Sequence, residues 1–214
     1  MHPENKKRLE SLGDLPVSEI PFDESVLKLI HGDRYIQQVK ESCVLGKALD
    51  GDTHTSPGSY EAAVYAANAT ILASERGDMA VVRPPGHHAY PNRASGFCIF
   101  NNVAIASQKF VNEGKRVLIF DFDGHLGDGT SEIFYDSDQV MYWSIHQYPA
   151  FPGHGSENEI GDDKGKGYTI NVPLPPGSSD DIFMDAFRSI LPIAKSFDPD
   201  VVAISAGFDS HQYD

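Results

Sequence analysis

The chain has 214 residues, 40% of them hydrophobic, with 19 glycines among the rest. That length fits one domain with a substantial core, and the composition excludes a disordered or collagen-like polypeptide. With 17 Lys and Arg against 31 Asp and Glu the net charge is −14, which repels phosphate backbones and anionic lipid and disfavours nucleic acid as a partner; over most of the surface it only maintains solubility.

Apolar runs such as residues 117–120 and 201–204 stop far short of the ~18–20 residues of a membrane span. No charged, apolar and small-residue leader opens the chain, and the two cysteines, Cys43 and Cys98, make a disulfide framework improbable. The expectation is a cytoplasmic protein in a reducing environment, with no membrane partner.

Helical signals fill the first third. Asp23-Glu24-Ser25 caps a run through Val26, Leu27 and Ile30, and Asp33 caps one through Tyr35, Ile36 and Val39. A third helix follows Ser56-Pro57-Gly58-Ser59, where Tyr60, Ala63, Val64, Ala67 and Ile71 recur at helical spacing. Further on, short apolar segments at 80–82, 117–120, 140–145, 169–172 and 201–204 read as strands buried on both faces, with helical patterns at 103–110 and 182–194. No repeat or linker divides the chain. The predicted fold is α/β, a mainly parallel sheet between helices, with ligands gathered beyond the carboxyl ends of the strands.

Three of those ends carry chemistry. Residues 80–82 run into Arg83-Pro84-Pro85-Gly86-His87-His88, residues 117–120 into Asp121-Phe122-Asp123-Gly124-His125-Leu126-Gly127-Asp128-Gly129-Thr130, and residues 201–204 into Ser205-Ala206-Gly207-Phe208-Asp209. A single Asp after a strand is usually a turn or cap residue, but three such ends on one rim ask for more. Asp123, His125 and Asp209 offer two carboxylates and one imidazole, a three-ligand set that leaves a position open for water and substrate. His87 and His88 are the acid/base candidates, because imidazole titrates near neutrality. Asp121 and Asp128 are candidates to orient those rings. The glycines at 124, 127 and 129 make a poor dinucleotide loop, since their spacing is wrong and Asp121, Asp123 and Asp128 would repel a pyrophosphate.

Taken in order, these segments resemble the histone deacetylase family, including relatives acting on acetylated polyamines and other acetylated amines. The likeness rests on His2-Pro3-Glu4 with Arg8-Leu9, Asp52-Thr53 before residues 56–63, residues 83–88, Gly96-Phe97-Cys98 with Asn101-Asn102, residues 121–130 and residues 205–209. It implies an arginase/deacetylase-like three-layer α/β/α fold and Zn²⁺ (or Fe²⁺) on Asp123, His125 and Asp209. It further implies that His87 and His88 form the acid/base pair, backed by Asp121 and Asp128. Asp52, Gly96, Phe97 and Phe151 would line a tunnel for an acetyl-lysine or acetyl-alkylamine stem. A structural K⁺ would sit on Asp121, Asp123, His125 and Ser144, and a second near Phe134, Ser137, Val140 and Tyr168.

The remaining groups read plainly. His146 is expected to be a satisfied interior histidine, Cys98 a buried small hydrophobe, residues 151–167 an exposed loop, and His31, His54, His154 and His211 solvent-facing. The sequence departs from the family pattern at Leu126, where a second His is usual. The chain opens at the His2-Pro3-Glu4 segment and closes five residues after Asp209. Against the family pattern this implies a partial single domain, 1–214, without the first strand and the C-terminal strands. It would also lack the Gly-Gly-Tyr segment whose tyrosine helps polarise the acetyl carbonyl; Tyr90, Tyr148 and Tyr213 do not fill that place. The expectation is therefore a metal-dependent amidohydrolase that turns over slowly or not at all as this polypeptide and self-associates through exposed sheet edges. Its alternatives are a non-catalytic metal or acetyl-amine binding fragment and, on a related fold, a ureohydrolase holding two metals.

Overall fold

A computed structural model describes residues 2–16 and 18–211. The chain forms two compact units, Met1–Ala106 and Ser107–Asp214.

The first unit is helical. It contains α1 (Lys7–Glu10), a 3₁₀ turn at Glu24–Leu29, α2 (Asp33–Leu45), α3 (Ser59–Arg76) and the start of α4 (Asn102–Asn112). Asp23 caps as expected, its carboxylate accepting from the Ser25 N–H at 2.8 Å, but the turn it starts is 3₁₀ rather than α. Asp33 is the first helical residue of α2 and Gly32 its cap. The apolar stripe of α2 (Tyr35, Ile36, Val39, Cys43) packs in one core with Tyr60, Ala63, Val64 and Ala67 of α3 and with Ile99, Phe100 and Ile105.

Residues 80–82 are not a strand. Among the described residues they pair with no other segment, Val81 is exposed, and the two prolines that follow lack the N–H groups a ladder needs. The Arg83–His88 stretch is held instead by side chains: Asn102 Nδ2 donates to the Pro84 carbonyl and Asn101 Nδ2 to that of Ala89, both at 3.1 Å, and Arg83 Nε donates to Glu4 at 2.6 Å.

The second unit carries the sheet: β1 (Val117–Asp121), α5 (Asp128–Ile133), β2 (Val140–Gln147), β3 (Thr169–Leu174), α6 (Asp180–Ser196) and β4 (Val201–Ser205). The four strands are parallel, in the order β3-β2-β1-β4. The α/β class and the parallel sheet are thus as expected. On one face Leu118, Met141, Trp143 and Ile145 meet Phe183, Phe187, Ile190 and Ala194 of α6, with Trp143 and Phe187 stacked at 5.1 Å. β1 and β2 are buried on both faces, but β4 is not. Among the described residues it pairs on one side only, and Val202 and Ile204 are 57% and 59% exposed, which corrects the expectation of burial on both faces. No helix of the described residues is long and apolar enough to cross a membrane.

Candidate metal centre and histidine pair

In the second unit, β1 ends on Asp121, which is fully buried. Its Oδ2 accepts from the Tyr142 hydroxyl at 3.1 Å and its Oδ1 from the Asp123 N–H at 3.2 Å. These bonds set the turn that follows. Asp123 Oδ1 accepts from the His125 N–H at 2.9 Å, and Asp209, arriving beyond β4, accepts from the Gly124 N–H at 2.8 Å through Oδ1. His125 Nδ1 faces both acids, 2.5 Å from Asp209 Oδ2 and 3.3 Å from Asp123 Oδ1. One donor atom from each of Asp123, His125 and Asp209 lies within 4.8 Å of the others, so these three form a group that could hold a metal ion. The hydrogen bond to Asp123, and then that to Asp209, outweigh burial and raise the His125 pKa to about 10. Two anionic oxygens and one imidazole nitrogen converging on a point are a donor set that fits a divalent cation.

Asp121 lies beneath this group and is bonded to Tyr142 and to backbone. Ser144 sits opposite it in register on β2, and both are fully buried. Asp128 opens α5 and is buried, and the Gly127 N–H just before it donates to the Tyr142 hydroxyl at 3.0 Å. Phe151 presents an edge to the His125 ring, with centroids 6.2 Å apart. Leu126, where a second histidine was expected, is buried.

In the first unit His87 and His88 are both buried, with ring centroids 4.0 Å apart. Gly96 has φ +51°, and a Cβ there would overlap the His88 imidazole, so only glycine lets the chain pass so near. Phe97 follows at φ +67° and donates its N–H to Thr53 Oγ1 at 3.2 Å. Asp52 is exposed; its carbonyl accepts from His2 Nε2 at 2.8 Å, and the His2 ring meets Phe97 edge-on at 5.1 Å. Burial and then Asp50 push the Asp52 carboxyl upward.

Some expectations need correction. His31 does not face solvent: it is 2% exposed, donates from Nδ1 to the Pro91 carbonyl at 3.2 Å and accepts at Nε2 from the Asn101 N–H at 3.0 Å. Burial lowers its pKa to about 4, so the ring is neutral. Residues 151–167 are not simply exposed, since Gly155 and Gly165 are buried and a 3₁₀ turn spans Asp163–Gly165. His54, His154 and His211 are exposed, Cys98 is fully buried, and His146 is buried with both ring nitrogens bonded, all as expected. Tyr213 lies outside the described residues. Tyr142 was missed, although the spacing Tyr142-x-Ser144-x-His146 in a strand puts three polar groups on one face and could have found it.

A family model described as the histone deacetylase domain matches residues 2–214. The chain belongs to the histone deacetylase family. Among curated family members, a "Probable deacetylase" of Archaeoglobus fulgidus is 38% identical over 233 residues, covering 98% of this chain and 65% of that protein. Among solved structures, the HDA15 HD domain aligns with a TM-score of 0.87 at 36% identity, over 96% of this chain and 64% of that one. An acetylpolyamine aminohydrolase from Burkholderia pseudomallei aligns with a TM-score of 0.82 at 28% identity, over 96% of this chain and 72% of that one. The chain therefore spans somewhat less than two thirds of the family members' length in the first two comparisons.

Proposed function

We propose that this chain carries the metal-binding and acid/base residues of an amidohydrolase that removes acetyl groups from amines, either acetyl-lysine or an acetylated polyamine. The observation that carries the reading is the convergence of Asp123, His125 and Asp209 on one point, with His125 Nδ1 facing both carboxylates. Those three would hold Zn²⁺ or Fe²⁺, which when bound supplies Lewis acidity toward the amide carbonyl and the attacking water. One imidazole of the His87–His88 pair takes the proton of that water, and an imidazolium of the pair gives a proton to the leaving nitrogen. By the resemblance, Asp121 and Asp128 are the carboxylates assigned to those rings. Gly96 keeps the His88 ring against backbone, Phe97 and Phe151 are the apolar walls for an alkyl stem, and Asp52 meets the polar part of the substrate at the rim. A K⁺ ion on Asp121, Asp123, His125 and Ser144 is part of the same proposal, supported by the buried register pair Asp121 and Ser144.

A reducing compartment, the cytoplasm, suits two buried cysteines with no disulfide between them. Exposed Val202 and Ile204 on a strand paired on one side only support self-association, and a monodisperse species of 23.4 kDa in light scattering would count against it.

The deciding experiment pairs elemental analysis with acetate release from ε-acetyl-lysine amide and N-acetylputrescine, with and without chelator. One equivalent of metal and chelator-sensitive release are expected. Two equivalents would favour a ureohydrolase, and one equivalent with no release would favour a binding fragment.

A further inference from the structure

His146 is placed by β2 and bonds to Ser144, yet no role toward metal or substrate is assigned to it above. It is 2% exposed. Its Nε2 lies 3.0 Å from the Gly155 carbonyl and its Nδ1 2.8 Å from Ser144 Oγ. A carbonyl only accepts, so Nε2 carries the proton. In the neutral ring Nδ1 is then the acceptor and the Ser144 hydroxyl its donor. The direction of the chain Ser144 to His146 to Gly155 is thereby fixed.

The far end of that chain is shaped to receive it. Gly155 is buried with φ +98°, and a Cβ there would overlap the His146 ring and lie 3.1 Å from Leu126 Cδ2. Glu159 Oε1 accepts the N–H groups of Gly155 and Ser156, both at 3.0 Å, and so holds the carbonyl's own peptide in place. The intervening segment, residues 148–154, is tied at its start by the Tyr148 N–H to the Leu174 carbonyl at 2.8 Å. It carries Phe151, whose ring meets His125 edge-on.

We propose that His146 is a positioning residue: its imidazole clamps the Phe151 segment to β2, and so fixes the aromatic wall beside His125. That this wall serves an acetylated amine rests on the function proposed above; the clamp itself does not.

The test compares the full chain with His146→Leu, which fills the space but cannot bond, His146→Gln, whose side-chain amide can still donate to the Gly155 carbonyl, and Gly155→Ala, which crowds the ring. Amide hydrogen exchange is read by segment, with metal content measured on the same samples. His146→Leu and Gly155→Ala are expected to speed exchange in residues 148–156 roughly tenfold, the order set by one lost buried hydrogen bond. Exchange in β1 and α6 and the metal content should stay unchanged, and His146→Gln should restore most of the protection. Unaltered exchange in 148–156, a rise spread evenly over the sheet, or no rescue by Gln would each overturn the clamp. Where acetate release is measurable, KM should rise more than kcat falls. A wild-type chain that releases no acetate would sink the hydrolase reading, while the exchange pattern would still decide the clamp.

Discussion

Gly207 lies directly behind Asp123: a Cβ built on it would overlap the Asp123 carboxylate and crowd its Cβ. The glycine is there for proximity, and it lets the chain leaving β4 bring Asp209 to the same point as Asp123 and His125. Gly207→Ala should therefore displace a ligand rather than merely stiffen a turn. We expect metal affinity to fall by ~10–100-fold, the range seen when the support of a ligand is disturbed, with little change in the thermal midpoint of the metal-free protein. Gly58→Ala, where a Cβ meets open space, is the control. Equal metal affinity in the two variants would show that Asp123 can move aside.

The metal-free site holds a proton where a metal would bind. Because the His125 pKa is raised to about 10 from 6.5, its ion pairing stabilises the metal-free fold fully below about 6.5, and this contribution is lost as pH rises through about 10. Metal binding needs Nδ1 free, so it must expel that proton, and apparent affinity should climb about tenfold per pH unit between pH 6 and 8. Titration calorimetry of Zn²⁺ in two buffers of different ionisation enthalpy should give one proton released per ion from this site. Zero release at pH 7 would mean that His125 is already neutral.

The strand ends were legible because apolar runs flanked by Asp, His and Gly carry both a structural and a chemical signal, and residues 121–130 and 205–209 lie where that reading puts them. Other features were hidden for physical reasons. Residues 80–82 have a strand's composition, but a strand is made by a partner, and composition does not show one. His31 looks like a surface histidine until Pro91 and Asn101 are seen to bond its two nitrogens. Gly207 reads as an ordinary turn glycine, and its need for a missing Cβ appears only with Asp123 beside it. Tyr142 shares a strand face with Ser144 and His146, a spacing that marks a polar face but does not say which carboxylate lies against it.

His31 gives an acid-lability prediction. Its pKa falls to about 4 because burial disfavours the charged ring. Between about 6.5 and 4 the unfolded chain takes up a proton that the folded chain refuses, so its contribution to stability is present above about 6.5 and shrinks as pH falls through that window. Urea midpoints of the wild type should drop from pH 7 to pH 5. His31→Gln should start from a lower midpoint, having lost the ring's packing against Tyr35 and Phe100, yet fall less steeply over the same range. Parallel curves would mean that other groups, His146 among them, carry the acid sensitivity.

Tyr142 ties the Asp121 carboxylate to the backbone just before Asp128. Its hydroxyl donates to Asp121 and accepts from the Gly127 N–H, the residue before Asp128, and the side chain is fully buried between them. Tyr142→Phe removes one oxygen, leaves the packing nearly intact, and takes one partner each from a buried carboxylate and a buried N–H. Such unpaired groups cost about 1–3 kcal/mol, so the variant should unfold at a lower urea concentration with an unchanged slope. If Asp121 and Asp128 orient His87 and His88, the loss should also reach the chemistry, lowering kcat for acetate release with little change in KM and leaving one equivalent of metal in place. The same midpoint as wild type would show that water or another group replaces the hydroxyl. A lower midpoint with unaltered kcat would separate Tyr142 from the acid/base pair and confine it to the fold.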